Sequence, residues 1–126
     1  MPVQTQKYNL GHLLKFEVGQ SVRFSRDKVT LIAGQNLKLG TVLSVITASG
    51  KYTQLAPAAA DGSQNAVAVL EQDTDATLLD TNTVVIDRQA VFADYALVYP
   101  AGITGPQKTV AINQLAAFQM FVRTGV

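Results

Sequence analysis

Short runs rich in β-branched residues, each followed by a turn containing glycine or asparagine, recur along most of this chain. Val29–Ile32 and Thr41–Thr47 are two such runs, and β-branched side chains favour strands. Ala48–Lys51 separates the second run from Tyr52–Leu55, which we predict to return as the other strand of a hairpin. Ala33–Asn36 is predicted to be another turn, because glycine and asparagine tolerate a positive φ.

Further strands are predicted in the second half of the chain. Ala66–Leu70 is a nearly continuous apolar run, which is typical of a buried central strand. Thr83–Ile86 and Gln89–Phe92 flank Asp87-Arg88, which we predict to be the two-residue turn of a hairpin. Phe118–Val122 alternates and is predicted as the last strand. Two polar stretches between these strands are predicted to be surface loops: Ala56–Asn65 and Glu71–Asn82.

One helix is clearly indicated near the C-terminus. Thr104 can cap it, and Gln107 follows three residues later in capping-box spacing. The pattern predicts a helix over about residues 105–117, and strands without alternating helices predict a mainly β fold with a minor α+β component. We expect a compact β-clip-like or barrel-like domain carrying this one late helix. Apolar positions with helical spacing are Ala111, Leu115 and Phe118.

The N-terminal segment lacks these regular patterns. Leu10 and Leu13 have rough helical spacing, but Gly11 breaks the stretch. We therefore predict an extended arm without a core of its own over residues 1–25, followed by a β-rich domain over residues 26–126.

Charge is sparse and unevenly placed. Charged side chains make up 15% of the 126 residues, against about 25% in an average soluble domain. Such a surface suits a protein that is partly covered by partners. Residues 1–28 carry five basic and two acidic side chains, whereas the remainder carries five basic and seven acidic. A basic arm on an acidic body fits an acidic partner, and a solvated tail with chance charges fits equally well.

Composition excludes several classes of function. The chain has no cysteine, so disulfides, thiolate metal sites and cysteine nucleophiles are excluded. The net charge of +1 gives no reason to expect nucleic acid. The N-terminus lacks a signal-peptide pattern and no apolar run approaches the length of a membrane span. We expect synthesis in the cytoplasm and no membrane partner.

Candidate chemical motifs are incomplete. Gly50-Lys51 lacks the earlier glycine and the following hydroxyl residue of a phosphate-binding loop, so Lys51 is predicted to be a hairpin-tip lysine. His12 lies in the predicted arm, where neither a zinc site nor a catalytic triad is expected. We therefore predict no catalytic, cofactor-binding or metal site, and no enzyme. Asp73, Asp75 and Asp80 do not have the spacing of a calcium-binding loop, so we predict that they lie in a solvated acidic loop.

Five stretches stand out by their order and spacing: Ile32–Leu43, Thr47–Tyr52, Ala56–Gln64, Ala66–Leu70 and Leu97–Gly102. Together they resemble the head decoration proteins of tailed bacteriophages, the family typified by the phage lambda protein. The resemblance implies a β-clip-like domain that forms homotrimers and binds the major capsid protein on the outer surface of the expanded head. It implies a cementing role against the pressure of packaged DNA, a place on the virion, and no enzymatic activity or small-molecule substrate.

We predict that the arm makes the capsid contact. The alternating segment Ser21–Ser25 can add a strand to an exposed sheet edge of the capsid. The predicted capsid-binding residues are Phe16, Val18, Ser21, Val22, Arg23, Phe24 and Arg26. The alternative is a β-clip module that binds a carbohydrate or another small ligand, which predicts a concave pocket with converging polar side chains.

Overall fold

A computed structural model of the chain describes residues 9–17 and 25–124. The predicted mainly β fold with one late helix is confirmed. Within the described ranges, no helix is long and apolar enough to cross a bilayer. The elements in chain order are α1 (Leu10–Leu13), β1 (Leu14–Glu17), β2 (Arg26–Leu31), β3 (Gln35–Leu37), β4 (Val42–Val45), β5 (Tyr52–Gln54), β6 (Ala68–Leu70), β7 (Thr74–Ala76), β8 (Thr81–Ile86), β9 (Ala90–Ala93), a 3₁₀ helix (Asp94–Ala96), α2 (Gly105–Ala116) and β10 (Met120–Arg123).

Five strands close into a barrel in the order β2-β5-β4-β6-β8. The predicted hairpin is confirmed, since β4 and β5 pair antiparallel with Val45 opposite Tyr52. The predicted central strand is confirmed as well, because β6 pairs with both β4 and β8 and all its residues are buried. Apolar side chains fill the interior: Leu31, Leu37, Leu43, Ala68, Leu70, Ala76 and Val85.

A second layer packs beside the barrel. In its three-stranded sheet, β9 lies between β1, which is antiparallel to it, and β10, which is parallel. The helix α2 packs against β10 and buries Ala111 and Leu115. Fully buried Phe92 and Met120 lie in the same cluster as the barrel residues Val42, Val69 and Ile86. The sheet, the helix and one wall of the barrel therefore share a single core.

The predicted capping box of α2 is present. The Thr104 hydroxyl accepts the Gln107 N–H at 3.2 Å, and the Gln107 side-chain oxygen accepts the Thr104 N–H at 3.0 Å. The predicted apolar stripe is wrong only at Phe118, which lies beyond the helix and is exposed. The chain turns there into β10, with Gln119 at a φ of 62°.

The predicted hairpin at Asp87-Arg88 is wrong. The strand before it, β8, belongs to the barrel, and the strand after it, β9, belongs to the outer sheet. The chain changes direction at this point, where the Asp87 N–H donates to the Ser25 carbonyl at 3.0 Å instead of pairing in a hairpin. Gln89 then adopts a positive φ of 46°. Two strands joined by a short connection therefore enter different sheets.

The polar stretch Glu71–Asn82 is not a simple loop. It contains β7, which pairs antiparallel with β3, a strand that overlaps the turn predicted at Ala33–Asn36. Thr74 is buried in β7, where its hydroxyl lies 2.7 Å from the hydroxyl of Thr83. A polar residue can face the interior here because its partner satisfies it.

The expectation of a coreless N-terminal segment is wrong for residues 9–17. The single-turn helix α1 is capped by Asn9, whose side chain accepts the His12 N–H at 3.0 Å. Leu13 is 0% exposed and belongs to the main core. A one-turn helix followed by a four-residue strand is too short to produce a sequence period, which explains the error. The arm boundary at residue 25 remains a prediction.

We expect Leu13→Ala to lower the free energy of unfolding by about 3 kcal/mol, since truncating a buried leucine loses transfer energy and leaves a cavity. The matched control is Leu79→Ala, at a position that is 65% exposed, which should change stability by less than about 0.5 kcal/mol. Urea unfolding followed by circular dichroism measures both. Equal midpoints for the two variants would show that residues 9–17 do not belong to the core.

Candidate functional site

The structure describes two of the seven predicted capsid-binding residues. Phe16 lies in β1, where its backbone is in register with Val91 of β9. Arg26 is the first residue of β2. The other five lie outside the described residues: Val18, Ser21, Val22, Arg23 and Phe24.

Arg26 binds two carboxylates from other parts of the chain. Its Nε donates to Glu17 Oε2 at 3.0 Å and its Nη2 to Glu17 Oε1 at 2.5 Å, which is a bidentate pair. Its Nη1 donates to Glu71 Oε1 at 2.8 Å. The side chains are 15% exposed for Arg26, 2% for Glu17 and 11% for Glu71. We call these three residues the ion triad.

The triad belongs to the body of the protein. The hydrogen bond from Arg26 to Glu17 raises the pKa of Arg26 above its usual value, so the guanidinium stays charged. Removing one partner of a buried ion pair is strongly destabilising, because the other charge is left uncompensated. We predicted Arg26 as a capsid-binding residue, and the structure shows that its side chain binds Glu17 and Glu71 within the protein. Sequence reasoning missed the triad, since Glu17 and Glu71 lie 9 and 45 residues away from Arg26.

A second charged cluster lies next to the triad, where the chain leaves the barrel. Arg88 pairs with Asp27, and its Nη2 lies 3.3 Å from Asp87 Oδ1. Burial raises the pKa of Asp87 to about 7, and the nearby carboxyl of Asp27 adds to the rise. The hydrogen bond from Asp87 lowers the pKa of Asp27. At pH values below about 7 the pair therefore holds a shared proton, which Asp87 carries.

The loop between β7 and β8 carries two adjacent exposed leucines. Leu78 is 91% exposed and Leu79 is 65% exposed. The loop is held from both sides: Asp80 accepts the Ala33 N–H at 2.9 Å and pairs with Lys51 Nζ at 2.5 Å. Asp75 and Thr81 also hydrogen-bond within it. We call residues 77–80 the leucine tip. The adjacent leucines inside a polar stretch were visible in the sequence, but their exposure was not predicted.

The residues weighed for chemistry have structural partners. His12 Nδ1 accepts the Asn9 N–H at 3.0 Å, and Asp73 accepts the Leu39 N–H at 2.8 Å. Lys51 lies directly before β5 in the β4–β5 connection, as predicted, and binds Asp80. In the part of the chain that the structure describes, no three histidine or acidic side chains are grouped to hold a metal ion.

A shallow groove of about 240 Å³ lies between α2 and the loop after β5. Its walls are mostly apolar, and its three glutamines are engaged in the fold. Their side-chain oxygens accept backbone N–H groups from Gly62, Thr104 and Ala66. The small-ligand alternative predicts a concave pocket with converging polar side chains, whereas this groove is shallow and mostly apolar. Its lining residues are Leu55, Pro57, Gln64, Pro106, Gln107, Val110, Ala111 and Gln114.

Comparison with known families decides the class of this protein. A family model described as bacteriophage lambda head decoration protein D matches residues 3–120. The chain belongs to this family. It is therefore a phage capsid decoration protein, structural rather than catalytic, with a place on the capsid surface of the virion. A search of curated proteins gave no match.

The shared proton makes the stability of this decoration protein depend on pH. Because folding raises the pKa of Asp87 from 3.8 to about 7, the folded state binds more protons between these values. The free energy of unfolding should therefore fall as pH rises through this window. Asp87→Asn should remove the fall and stabilise the protein at pH 8 by roughly 1 kcal/mol, after allowance for solvent screening.

Urea titrations at pH 5 and pH 8 measure this effect. Asp61→Asn is the control, because Asp61 lies in an exposed loop with its pKa lowered, so the fall between pH 5 and pH 8 should persist. A wild-type protein that is equally stable at both values would contradict the shared proton.

Proposed function

We propose that this chain forms a homotrimer that binds the major capsid protein on the outer surface of the expanded phage head. The trimer stabilises the head against the pressure of packaged DNA. The contact is made through N-terminal residues, foremost residues 18–24, which include Val18 and Ser21–Phe24.

The observation that carries the proposal is where the chain lies on either side of residues 18–24. Glu17 pairs with Ala90 at the start of β9. Ser25 donates its hydroxyl to the Gln89 carbonyl at 3.0 Å. Glu17 and Ser25 thus contact the consecutive residues Ala90 and Gln89, at the start of β9 and shortly after the end of β8. An attachment point at this end leaves the leucine tip at the far end of β8, about 17 Å away for a six-residue strand.

The exposed apolar side chains support an assembly of several copies. Burial of one leucine side chain contributes about 1.5–3 kcal/mol of favourable free energy. A monomer that leaves several large apolar side chains exposed to solvent forgoes this contribution. Three copies also place three capsid-binding segments on one particle, which multiplies a modest single-segment affinity through effective concentration. Among the described residues, the large exposed apolar side chains are Leu78, Leu79, Tyr95, Val98, Val110, Phe118 and Phe121.

Cosedimentation of purified protein with expanded heads tests the capsid contact. The double variant Val22→Ser with Phe24→Ser should weaken binding at least roughly tenfold, because two apolar anchors are lost. Ala101→Ser is the control, since Ala101 is exposed in the connection before α2, and it should bind like the wild type. Sedimentation equilibrium should give three times the chain mass of 13.5 kDa for all three proteins.

Two results would contradict the proposal. If the double variant binds heads with wild-type affinity, Val22 and Phe24 do not contribute to the capsid contact, and the assignment of that contact to residues 18–24 is wrong. If sedimentation equilibrium gives the mass of a monomer at micromolar concentration, the proposed homotrimer is wrong.

A further inference from the structure

The outer sheet ends on each side in a strand that has one described neighbour. β9 lies at its centre, and among the described residues β1 and β10 pair with β9 alone. Each of these two strands therefore presents a row of backbone N–H and C=O groups on the side away from β9. Such an edge is a template for pairing with another chain, and proteins protect it with charges, proline or a covering element.

β10 carries an exposed aromatic side chain in its middle, and its one charged residue, Arg123, stands at its end. Met120 and Val122 pack into the core, whereas Phe121 between them points to the opposite face and is 44% exposed. Val91 of β9 lies beside Phe121 in register and is half-buried. The face of the sheet that is turned away from the core therefore has an apolar centre in contact with solvent.

The edge that carries Phe121 is held in one position. At the turn before β10, the Gln89 N–H donates to the Phe118 carbonyl and the Ala90 N–H to the Gln119 carbonyl, each at 3.1 Å. The side chains of Gln89 and Gln119 are also joined, with Nε2 of the first 2.9 Å from Oε1 of the second. An edge that is fixed before binding loses little conformational freedom when a partner pairs with it.

The two edges of the sheet match one another in strand direction. β1 runs antiparallel to β9 and β10 runs parallel to it, so β1 and β10 run in opposite directions. β10 of one copy can therefore pair antiparallel with β1 of a second copy that is rotated about an axis along the strands. Antiparallel pairing is slightly more stable per residue than parallel pairing. Because the two edges differ, this contact is head-to-tail, and such contacts form a ring when the rotation closes.

Three copies joined in this way would form a closed ring of nine strands, three from each chain. A closed sheet of about eight strands has an interior that side chains just fill. In the ring, Phe121 and Val91 of each copy would point inward, and the barrel and α2 would lie outside. Closure would leave no open edge and would bury the apolar face of all three sheets.

We propose that the outer sheets of three copies join edge to edge, with β10 of each copy against β1 of the next, and that this ring is the subunit contact of the trimer. The partner at each edge is a second copy of this chain. Phe121 is the central apolar residue of the contact. The inference rests on the proposed function, which assigns a homotrimer, and it adds the surface that forms it.

Sedimentation equilibrium of Phe121→Glu and Leu79→Glu tests the contact. Phe121→Glu places three carboxylates in the poorly solvated interior of the ring, where like charges repel, so it should sediment as a monomer where the wild type is a trimer. Leu79→Glu is the matched control, because Leu79 is 65% exposed in the leucine tip, and it should keep the trimer mass. Phe121→Ser replaces Phe121→Glu if the latter does not fold, and it should weaken association at least roughly tenfold.

Hydrogen exchange identifies which strands meet. Amide protection should be lower in the monomeric Phe121 variant than in the wild-type trimer in both β1 and β10, because both lose a neighbouring strand. β9 should keep its protection, since it is paired on both sides within one copy. Leu79→Glu should show the wild-type pattern.

The outcomes distinguish this contact from the proposed function. A monomeric wild-type protein overturns the homotrimer and the ring with it. A trimeric wild-type protein whose folded Phe121 variants associate as tightly as Leu79→Glu overturns the ring alone. Protection that changes in β10 but not in β1 also overturns it, because β10 would then pair with another partner. Protection of the two edges that appears only when heads are added overturns it as well, because the edges would then take a capsid strand.

Discussion

The guanidinium of Arg26 lies between the buried carboxylate of Glu17 and the partly buried carboxylate of Glu71, which come from different layers of the protein. Such an arrangement carries a large desolvation cost, which only close geometry offsets. Glu17 must therefore lie against the rim of the barrel, and β1 must lie on β9 in its observed register. This contact therefore joins the outer sheet to the barrel, beside the apolar core that the two layers share.

Local signals in the sequence were sufficient for the elements that local interactions determine. The capping box at Thr104 predicts the start of α2, and the turn after Val45 predicts the β4–β5 hairpin. Each depends on side chains within a few residues of one another. The division into two layers could not be predicted in this way. It involves contacts between residues far apart in the sequence, such as the Asp87 N–H, which donates to the Ser25 carbonyl 62 residues earlier, and the pairing of β9 with β1 and β10.

The same limit applies to the candidate site. The distribution of charge drew attention to residues 1–28, and the triad residues Glu17 and Arg26 fall within them. The third, Glu71, follows β6 and becomes a neighbour only when the barrel closes. Leu13 shows the opposite error, in which a one-turn helix without a period conceals a fully buried core residue. Residues 9–17 thus belong to the folded body, and the proposed capsid contact is assigned to residues 18–24 instead.

The account predicts how the protein sits on the head, and a cryo-EM reconstruction of decorated heads measures this directly. We expect residues 18–24 to contact the capsid, with Asp87 at the near end of the barrel, the leucine tip at the far end, and Arg26 still bound to Glu17 and Glu71. A reconstruction in which the leucine tip faces the capsid and residues 18–24 point away from it would contradict the account.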